Sequence, residues 1–167
     1  MVAQPLTHGD SAAPPTWRWT SEEDTAACAR ALAGNPWLGQ ALISLRGDLG
    51  AGKTTWVRHL LRALGVTGVI KSPTYGLVET YQAHTTQARY PVAHLDLYRL
   101  QAPYELVDAG LDEVLTGPGL RLVEWLAQAE ALAPTPDVEL ALALHDDGTR
   151  SVTATSHSAL GARLLQA

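Results

Sequence analysis

The 167-residue chain contains one cysteine, one methionine and no phenylalanine. Because Cys28 stands alone, the chain can form neither an intrachain disulfide nor a cysteine-cluster zinc site, and disulfide-free chains are typical of reducing compartments. The lack of phenylalanine leaves the core to leucine, alanine, valine and five tryptophans. The length suits one compact domain, and a hydrophobic fraction of 46% predicts a packed core over most of it.

Long hydrophobic runs and basic patches are also absent. The longest stretch without a charged residue, 31–45, is too short to span a bilayer and contains Gly34, Asn35 and Pro36. The net charge of −5 does not favour direct binding to nucleic acid, which depends on clustered cations that contact phosphates. No basic patch followed by an apolar run begins the sequence, so a secretory signal is not expected. We therefore predict a cytoplasmic protein that binds no membrane.

The pattern of the chain predicts a flexible tail at 1–15, rich in proline and alanine, and a single domain at 16–167. Thr20 and Glu23 have the spacing of a capping box, which predicts a helix running to about Ala33. Apolar strands alternate with helices, and hairpin signals lie at the edges. This order predicts a three-layer α/β domain with a mixed, mostly parallel central sheet.

The segment Gly47–Thr54 matches the Walker A pattern, Gly-x-x-x-x-Gly-Lys-Thr, and lies between an apolar strand and a helix that begins at Lys53. Glycines let backbone N–H groups close around a phosphate, the lysine adds a charge at the β- and γ-phosphates, and the threonine hydroxyl can bind Mg²⁺. The alternative is an ordinary strand-to-helix turn with an exposed lysine. The candidate phosphate-binding residues are Asp48, Leu49, Gly50, Ala51, Gly52, Lys53, Thr54 and Thr55.

Two further apolar strands end on carboxylates, Asp96 and Glu124. Sheets of this class bind ligands beyond the carboxyl ends of their strands. Asp96 would therefore hold Mg²⁺ directly or through water, as a Walker B aspartate does; alternatively it caps backbone or pairs with Arg99. Glu124 would orient the attacking water or help bind the metal together with Thr54, unless it simply faces water.

The short loop Ser72-Pro73-Thr74-Tyr75 precedes a strand, and a loop threonine of this kind can contact Mg²⁺ or the γ-phosphate and release it after hydrolysis. A simple turn is the alternative. His94 shares a strand face with Asp96, which indicates either a contact behind the site or a core histidine. Trp125, next to Glu124, would shield the site or contact a partner.

Four motifs occur in a fixed order: Gly47 to Thr55, Ser72 to Tyr75, His94 to Arg99 and Glu124-Trp125. Together they closely resemble the bacterial TsaE (YjeE) family, the ATPase of the tRNA threonylcarbamoyladenosine pathway, over about residues 16–155. The resemblance implies a P-loop NTPase-like fold, with ATP and Mg²⁺ as ligands. The sequence departs from the family at Leu126, where the family usually has proline.

The resemblance also implies partners and roles. The family joins a TsaB–TsaD heterodimer that modifies adenosine 37 of tRNA, so tRNA would be bound through the complex, and ATP turnover is thought to reset that complex. By the same resemblance, Lys53 and Thr54 bind phosphate and Mg²⁺, Ser72 to Tyr75 form the switch, and Asp96 serves the metal. The resemblance further implies that Glu124 is required for activity and that Thr25 lies near the nucleotide.

Two other functions remain open at this stage. A small-molecule or nucleoside kinase also uses a phosphate loop, but such kinases commonly need an arginine-bearing lid, and Arg89, Arg99 and Arg121 are scattered. A nucleotide-binding assembly module would hydrolyse little ATP. We expect an ATPase that is weak alone and stimulated by its partners.

Overall fold

A seven-stranded sheet organises residues 13–166, the part of the chain that our computed structural model describes. Strands β6, β2, β5 and β4 are paired in parallel, and β3 and β7 run in the opposite direction at the two sides. The predicted mixed, mostly parallel sheet is thereby confirmed. The strands, in the spatial order β1-β7-β6-β2-β5-β4-β3, are β1 (Thr16–Trp19), β2 (Leu42–Arg46), β3 (Val78–His84), β4 (Arg89–Asp96), β5 (Leu120–Glu124), β6 (Val138–Leu144) and β7 (Arg150–Ser156).

Helices cover both faces of this sheet, which explains why four consecutive residues of β2, Leu42 to Leu45, are buried instead of every second one. Ile43 packs in the same cluster as Trp56 of the second helix, whereas Leu42 packs with Leu106 and Leu115 on the opposite face. The helices are α1 (Glu22–Ala33), α2 (Lys53–Ala63), α3 (Tyr104–Asp108), α4 (Leu111–Thr116) and α5 (Ala159–Leu165), with 3₁₀ turns at Leu38–Gln40 and Leu126–Ala129.

The start of α1 corrects one prediction. The capping box is formed by Ser21 and Asp24, one residue later than the predicted pair Thr20 and Glu23. The Asp24 carboxylate accepts hydrogen bonds from the backbone N–H of Thr20 at 2.7 Å and of Ser21 at 3.1 Å, and these bonds lower its pKa. A carboxylate that satisfies two otherwise unpaired N–H groups outcompetes Glu23, which pairs with Arg30.

The other predicted bounds are confirmed: α1 ends at Ala33, α2 begins at Lys53, and β4 and β5 end at Asp96 and Glu124. The β6–β7 hairpin turns through Gly148, whose φ is 80°, and α3 and α4 are separated by Gly110 with a φ of 70°. The predicted tail, 1–15, falls mostly outside the described residues. Within residues 13–166, no helix is long and apolar enough to cross a membrane.

Candidate nucleotide-binding site

The loop from Gly47 to Gly52 joins β2 to α2, and its shape depends on glycine. Gly50 and Gly52 have φ values of 82° and 104°, a region that residues with a Cβ rarely adopt. A Cβ on Gly47 would lie 2.3 Å from the carbonyl oxygen of Leu142, so β6 also excludes a side chain there. The loop leads directly into α2, and the unpaired N–H groups of that first turn form an anion-binding end.

A cavity of about 290 Å³ opens above this loop. It collects residues from the loop, from the ends of β4 and β5, from the predicted switch and from the start of β7. Predicted site residues that line it are Leu49, Gly50, Gly52, Lys53, Thr54, Thr55, Thr74, Asp96 and Glu124, and they are joined by Tyr98, Arg99, Trp125 and Arg150.

The remaining predicted site residues do not line this cavity. Asp48 is exposed and Ala51 is buried. Thr25 is buried on α1, which packs against α2, and Tyr75 is 88% exposed with the Arg99 guanidinium 4.5 Å from its ring centroid. Ser72 and Pro73 likewise lie outside the lining. Their functional roles stay predictions.

Lys53 is 4% exposed and lies over the loop. Its Nζ donates to the carbonyl oxygens of Gly47 at 2.5 Å and Asp48 at 3.0 Å. Burial lowers the pKa of Lys53, and the negative charges of Glu124, Asp96 and Asp48 oppose that shift. In the described part of the chain no carboxylate forms an ion pair with this ammonium, so its charge is not neutralised by direct contact.

Trp125 forms one wall of the site. Its backbone is left-handed, with a φ of 60°, which is costly for a bulky residue. The turn that results places its ring 4.5 Å from Lys53 Nζ and 5.0 Å from the ring of Tyr98. At Leu126, where the family usually has proline, the chain enters a 3₁₀ turn.

Glu124 lies at the centre of a buried hydrogen-bond network and is 3% exposed, so the alternative that it faces water is wrong. Its two carboxylate oxygens accept from Thr54 Oγ1 at 2.8 and 3.1 Å. Its Oε1 also accepts from His94 Nε2 at 2.9 Å. Parallel pairing of β4 with β5 sets Asp96 opposite Glu124. His94, two residues before Asp96 on the same face of β4, is thereby within reach of the Glu124 carboxylate. His94, fully buried, is therefore a contact behind the site.

Asp96 is 6% exposed, and its Oδ1 accepts from the backbone N–H of Tyr98 at 3.1 Å. The predicted alternative of a pair with Arg99 is wrong, because Arg99 Nε instead donates to the carbonyl oxygen of Thr74 at 3.1 Å. Burial raises the pKa of Asp96, and the neighbouring Glu124 raises it further. The fold therefore holds a carboxylate in a place where its charge is unfavourable.

This geometry predicts that Asp96→Asn stabilises the nucleotide-free protein at pH 7 by about 1 kcal/mol, a gain typical of changes at strained functional sites. A carboxyl whose pKa is higher in the folded state opposes folding when it is ionised, and this penalty shrinks as the pH falls towards the raised pKa. The asparagine keeps an oxygen for the Tyr98 N–H. Thermal unfolding at pH 7 and at lower pH measures the effect. A lower melting temperature for the variant at pH 7 would contradict it.

The oxygen donors in the cavity suit Mg²⁺. Thr54, Asp96 and Glu124 supply a hydroxyl and two carboxylates, and Mg²⁺ is commonly held by one or two carboxylates together with waters and substrate phosphates. Residues 13–166 contain no cluster of three or more histidine, cysteine, aspartate or glutamate side chains that could hold a metal by themselves. The donor set therefore fits a metal that is shared with a phosphate ligand.

Comparison with known proteins shows the family of this chain. The family model described as threonylcarbamoyl adenosine biosynthesis protein TsaE matches residues 19–152. The chain belongs to the TsaE family. Among curated family members, tRNA threonylcarbamoyladenosine biosynthesis protein TsaE of Bacillus subtilis is 35% identical over 140 residues, with 84% of each chain covered. The TsaE of Rickettsia bellii is 38% identical and covers 81% of this chain and 91% of its own.

A solved structure supports the same membership. The crystal structure of Bacillus subtilis YdiB superposes with a TM-score of 0.72 and 28% identity, covering 90% of both chains. This TsaE family member therefore shares the P-loop fold of YdiB.

Proposed function

We propose that this TsaE family member is a Mg²⁺-dependent ATPase that hydrolyses ATP to ADP and phosphate in support of tRNA threonylcarbamoyladenosine modification. One observation carries the proposal. The Walker A residues Lys53 and Thr54 lie in one cavity with Asp96 and Glu124, the two buried carboxylates at the ends of adjacent strands. In P-loop NTPases the Walker A loop binds the phosphates and a nearby acid helps to hold Mg²⁺, which is the arrangement found in this cavity.

Each residue has a role that follows from its contacts. The loop N–H groups and Lys53 would bind the phosphates, and Thr54 with Asp96 would hold Mg²⁺, which neutralises charge on the phosphates when bound. A threonine hydroxyl can offer a lone pair to a metal while its hydrogen is donated elsewhere. The bond from Thr54 to Glu124 fixes that orientation. Glu124 would then orient the attacking water through its second oxygen.

The arginines do not favour the kinase alternative. Arg121 donates to the carbonyl oxygens of Gly117 and Gln40, away from the cavity, and Arg89 begins β4 at the opposite end of the strand from Asp96. Of the three scattered arginines, Arg99 alone lines the site. A phosphate-transfer assay with nucleoside and small-molecule acceptors tests this choice: we expect free phosphate as the product, and a phosphorylated acceptor would contradict the proposal.

We also propose that TsaB and TsaD homologues are the partners and that tRNA is bound through their complex, in the cytoplasm. Large apolar side chains are exposed at the cavity: Leu49, which lines it, is 66% exposed, and Tyr75, which follows the lining residue Thr74, is 88% exposed. Exposed apolar side chains next to a functional site support contact with another protein. A pull-down of TsaB and TsaD, with ATP present and absent, tests the association.

Partner dependence gives a direct prediction. We expect slow hydrolysis by the isolated chain and an increase of about tenfold or more when TsaB and TsaD are added, equivalent to about 1.4 kcal/mol at the barrier. The measurement is phosphate release at saturating ATP, with TsaB alone as the control. Equal rates with and without the partners would contradict stimulation by TsaB and TsaD. That result would not count against ATP binding by the isolated chain. No hydrolysis under either condition would favour the assembly module.

A further inference from the structure

A second cation reaches the phosphate loop from the far end of the chain. Arg150 begins β7, pairs with Trp19 of β1 and lines the cavity. Its Nε donates to the carbonyl oxygen of Ala51 at 2.9 Å, although the two residues are 99 positions apart. The same nitrogen lies 2.9 Å from the position that a Cβ on Gly52 would take. Glycine at position 52 therefore leaves room for the guanidinium against the loop.

Most N–H groups of the Arg150 guanidinium donate to no protein acceptor within residues 13–166. The guanidinium carries five N–H groups, yet Nε alone donates to a protein acceptor among the hydrogen bonds of residues 13–166. No acidic side chain of the described chain forms an ion pair with it. An arginine fixed at its Nε, with both terminal nitrogens available beside an anion-binding loop, has the geometry that binds phosphate oxygens.

The contact with the phosphate loop distinguishes Arg150 from the other arginine of the cavity, Arg99, whose Nε donates to the carbonyl oxygen of Thr74 in the predicted switch. On the adjacent strand β1, Arg18 forms a salt bridge with Asp147 and does not line the cavity. Arg150 contacts the loop at Ala51 and Gly52, whose backbone N–H groups belong to the part of a phosphate loop that cradles the α- and β-phosphates. Asp96 and Glu124 instead lie where, in the proposed function, Mg²⁺ and the attacking water at the γ-phosphate would be held. Arg150 is thus placed towards the diphosphate part of a nucleotide.

We infer that Arg150 is a nucleotide-binding residue that contacts the α- or β-phosphate of bound ADP or ATP while its Nε bonds the loop at Ala51. This inference rests on the proposed function, because it assumes that the cavity takes a nucleotide. It nevertheless makes a separate prediction about the relative affinities for ATP and ADP. A contact to the diphosphate contributes equally to ATP and ADP, whereas a contact to the γ-phosphate contributes to ATP alone.

Isothermal titration calorimetry with Mg²⁺-ADP and with a non-hydrolysable Mg²⁺-ATP analogue tests it on the full chain. Arg150→Gln removes the charge but keeps an amide donor for Ala51, and we expect it to weaken both nucleotides by about tenfold or more. Arg150→Lys keeps the positive charge but lacks the planar guanidinium that can donate two parallel hydrogen bonds to a phosphate. It should therefore bind both nucleotides more tightly than Arg150→Gln and more weakly than the wild type. Arg18→Gln removes the same charge from the neighbouring strand and should bind as the wild type does.

Three results would overturn the inference: wild-type affinity for Arg150→Gln, a loss confined to the ATP analogue, or a loss for Arg150→Lys as large as that for Arg150→Gln. Circular dichroism of each nucleotide-free variant separates weakened binding from misfolding, and Arg150→Lys decides the question if Arg150→Gln does not fold. A wild-type chain that binds neither nucleotide would refute the proposed function itself. Normal wild-type binding together with any of the three results refutes only the role of Arg150.

Discussion

Lys53→Ala should reduce the affinity for Mg²⁺-ATP by about a hundredfold, because charged hydrogen bonds contribute about 1.5–3 kcal/mol each and this ammonium supplies more than one. The side chain is buried over the loop, forms no ion pair within residues 13–166, and is positioned by two loop carbonyls and the ring of Trp125. Its loss would also remove the bonds that tie Gly47 and Asp48 together. Equilibrium dialysis with labelled ATP measures the affinity.

The sequence offers a matched control for this experiment. Lys71 is the other lysine of the chain, and it is exposed. Lys71→Ala removes the same charge from the protein without touching the loop, so ATP affinity should stay within about twofold of the wild type, the range of ordinary surface changes. If Lys53→Ala bound ATP as well as Lys71→Ala does, the phosphate site would lie elsewhere.

Glu124→Gln should lower the rate of hydrolysis by about a hundredfold or more, the usual contribution of a positioned base, and leave ATP affinity within a few-fold of the wild type. Glutamine has the same shape, and its amide oxygen can still accept from Thr54 and His94. The change therefore removes the charge and basicity of the side chain while preserving the packing of a residue that is 3% exposed. Single-turnover hydrolysis and a separate binding measurement give the two quantities.

Two further variants, Glu130→Gln and Glu124→Ala, serve as comparisons for Glu124→Gln. Glu130→Gln makes the same substitution at an exposed glutamate six residues away and should leave turnover unchanged. Glu124→Ala would leave the Thr54 hydroxyl and His94 without their shared partner, so it should also destabilise the fold. If Glu124→Gln hydrolysed ATP at the wild-type rate, Glu124 would be a structural residue that holds Thr54 and His94 in place.

The parts of the site that could be predicted from sequence are those with a local signature. The Walker A pattern occupies eight consecutive positions between a strand and a helix, so its geometry depends on neighbours in the chain. Asp96 and Glu124 each end an apolar run, and the rule that strands of an α/β sheet carry ligands at their carboxyl ends placed both correctly. No knowledge of strand order was needed for either step.

The contacts that sequence reasoning missed depend on which strands are neighbours. His94 and Glu124 are 30 residues apart and meet because β4 pairs with β5. Arg150 reaches Ala51 only because the final hairpin brings β7 to the side of the loop. Arg150 stands outside every motif of the sequence, so no local pattern indicated its role. The capping box shifted by one residue because Thr20 and Ser21 are chemically similar caps.

The loop of residues 47–54 and the two buried carboxylates together form the proposed nucleotide site. Calorimetric titration of Mg²⁺-ATP into the folded wild-type chain, with Mg²⁺ omitted in a parallel titration, tests it most directly. We predict one binding event per chain, with weaker affinity when the metal is left out. Folded protein that gives no heat of binding in either titration would show that this site does not bind the nucleotide.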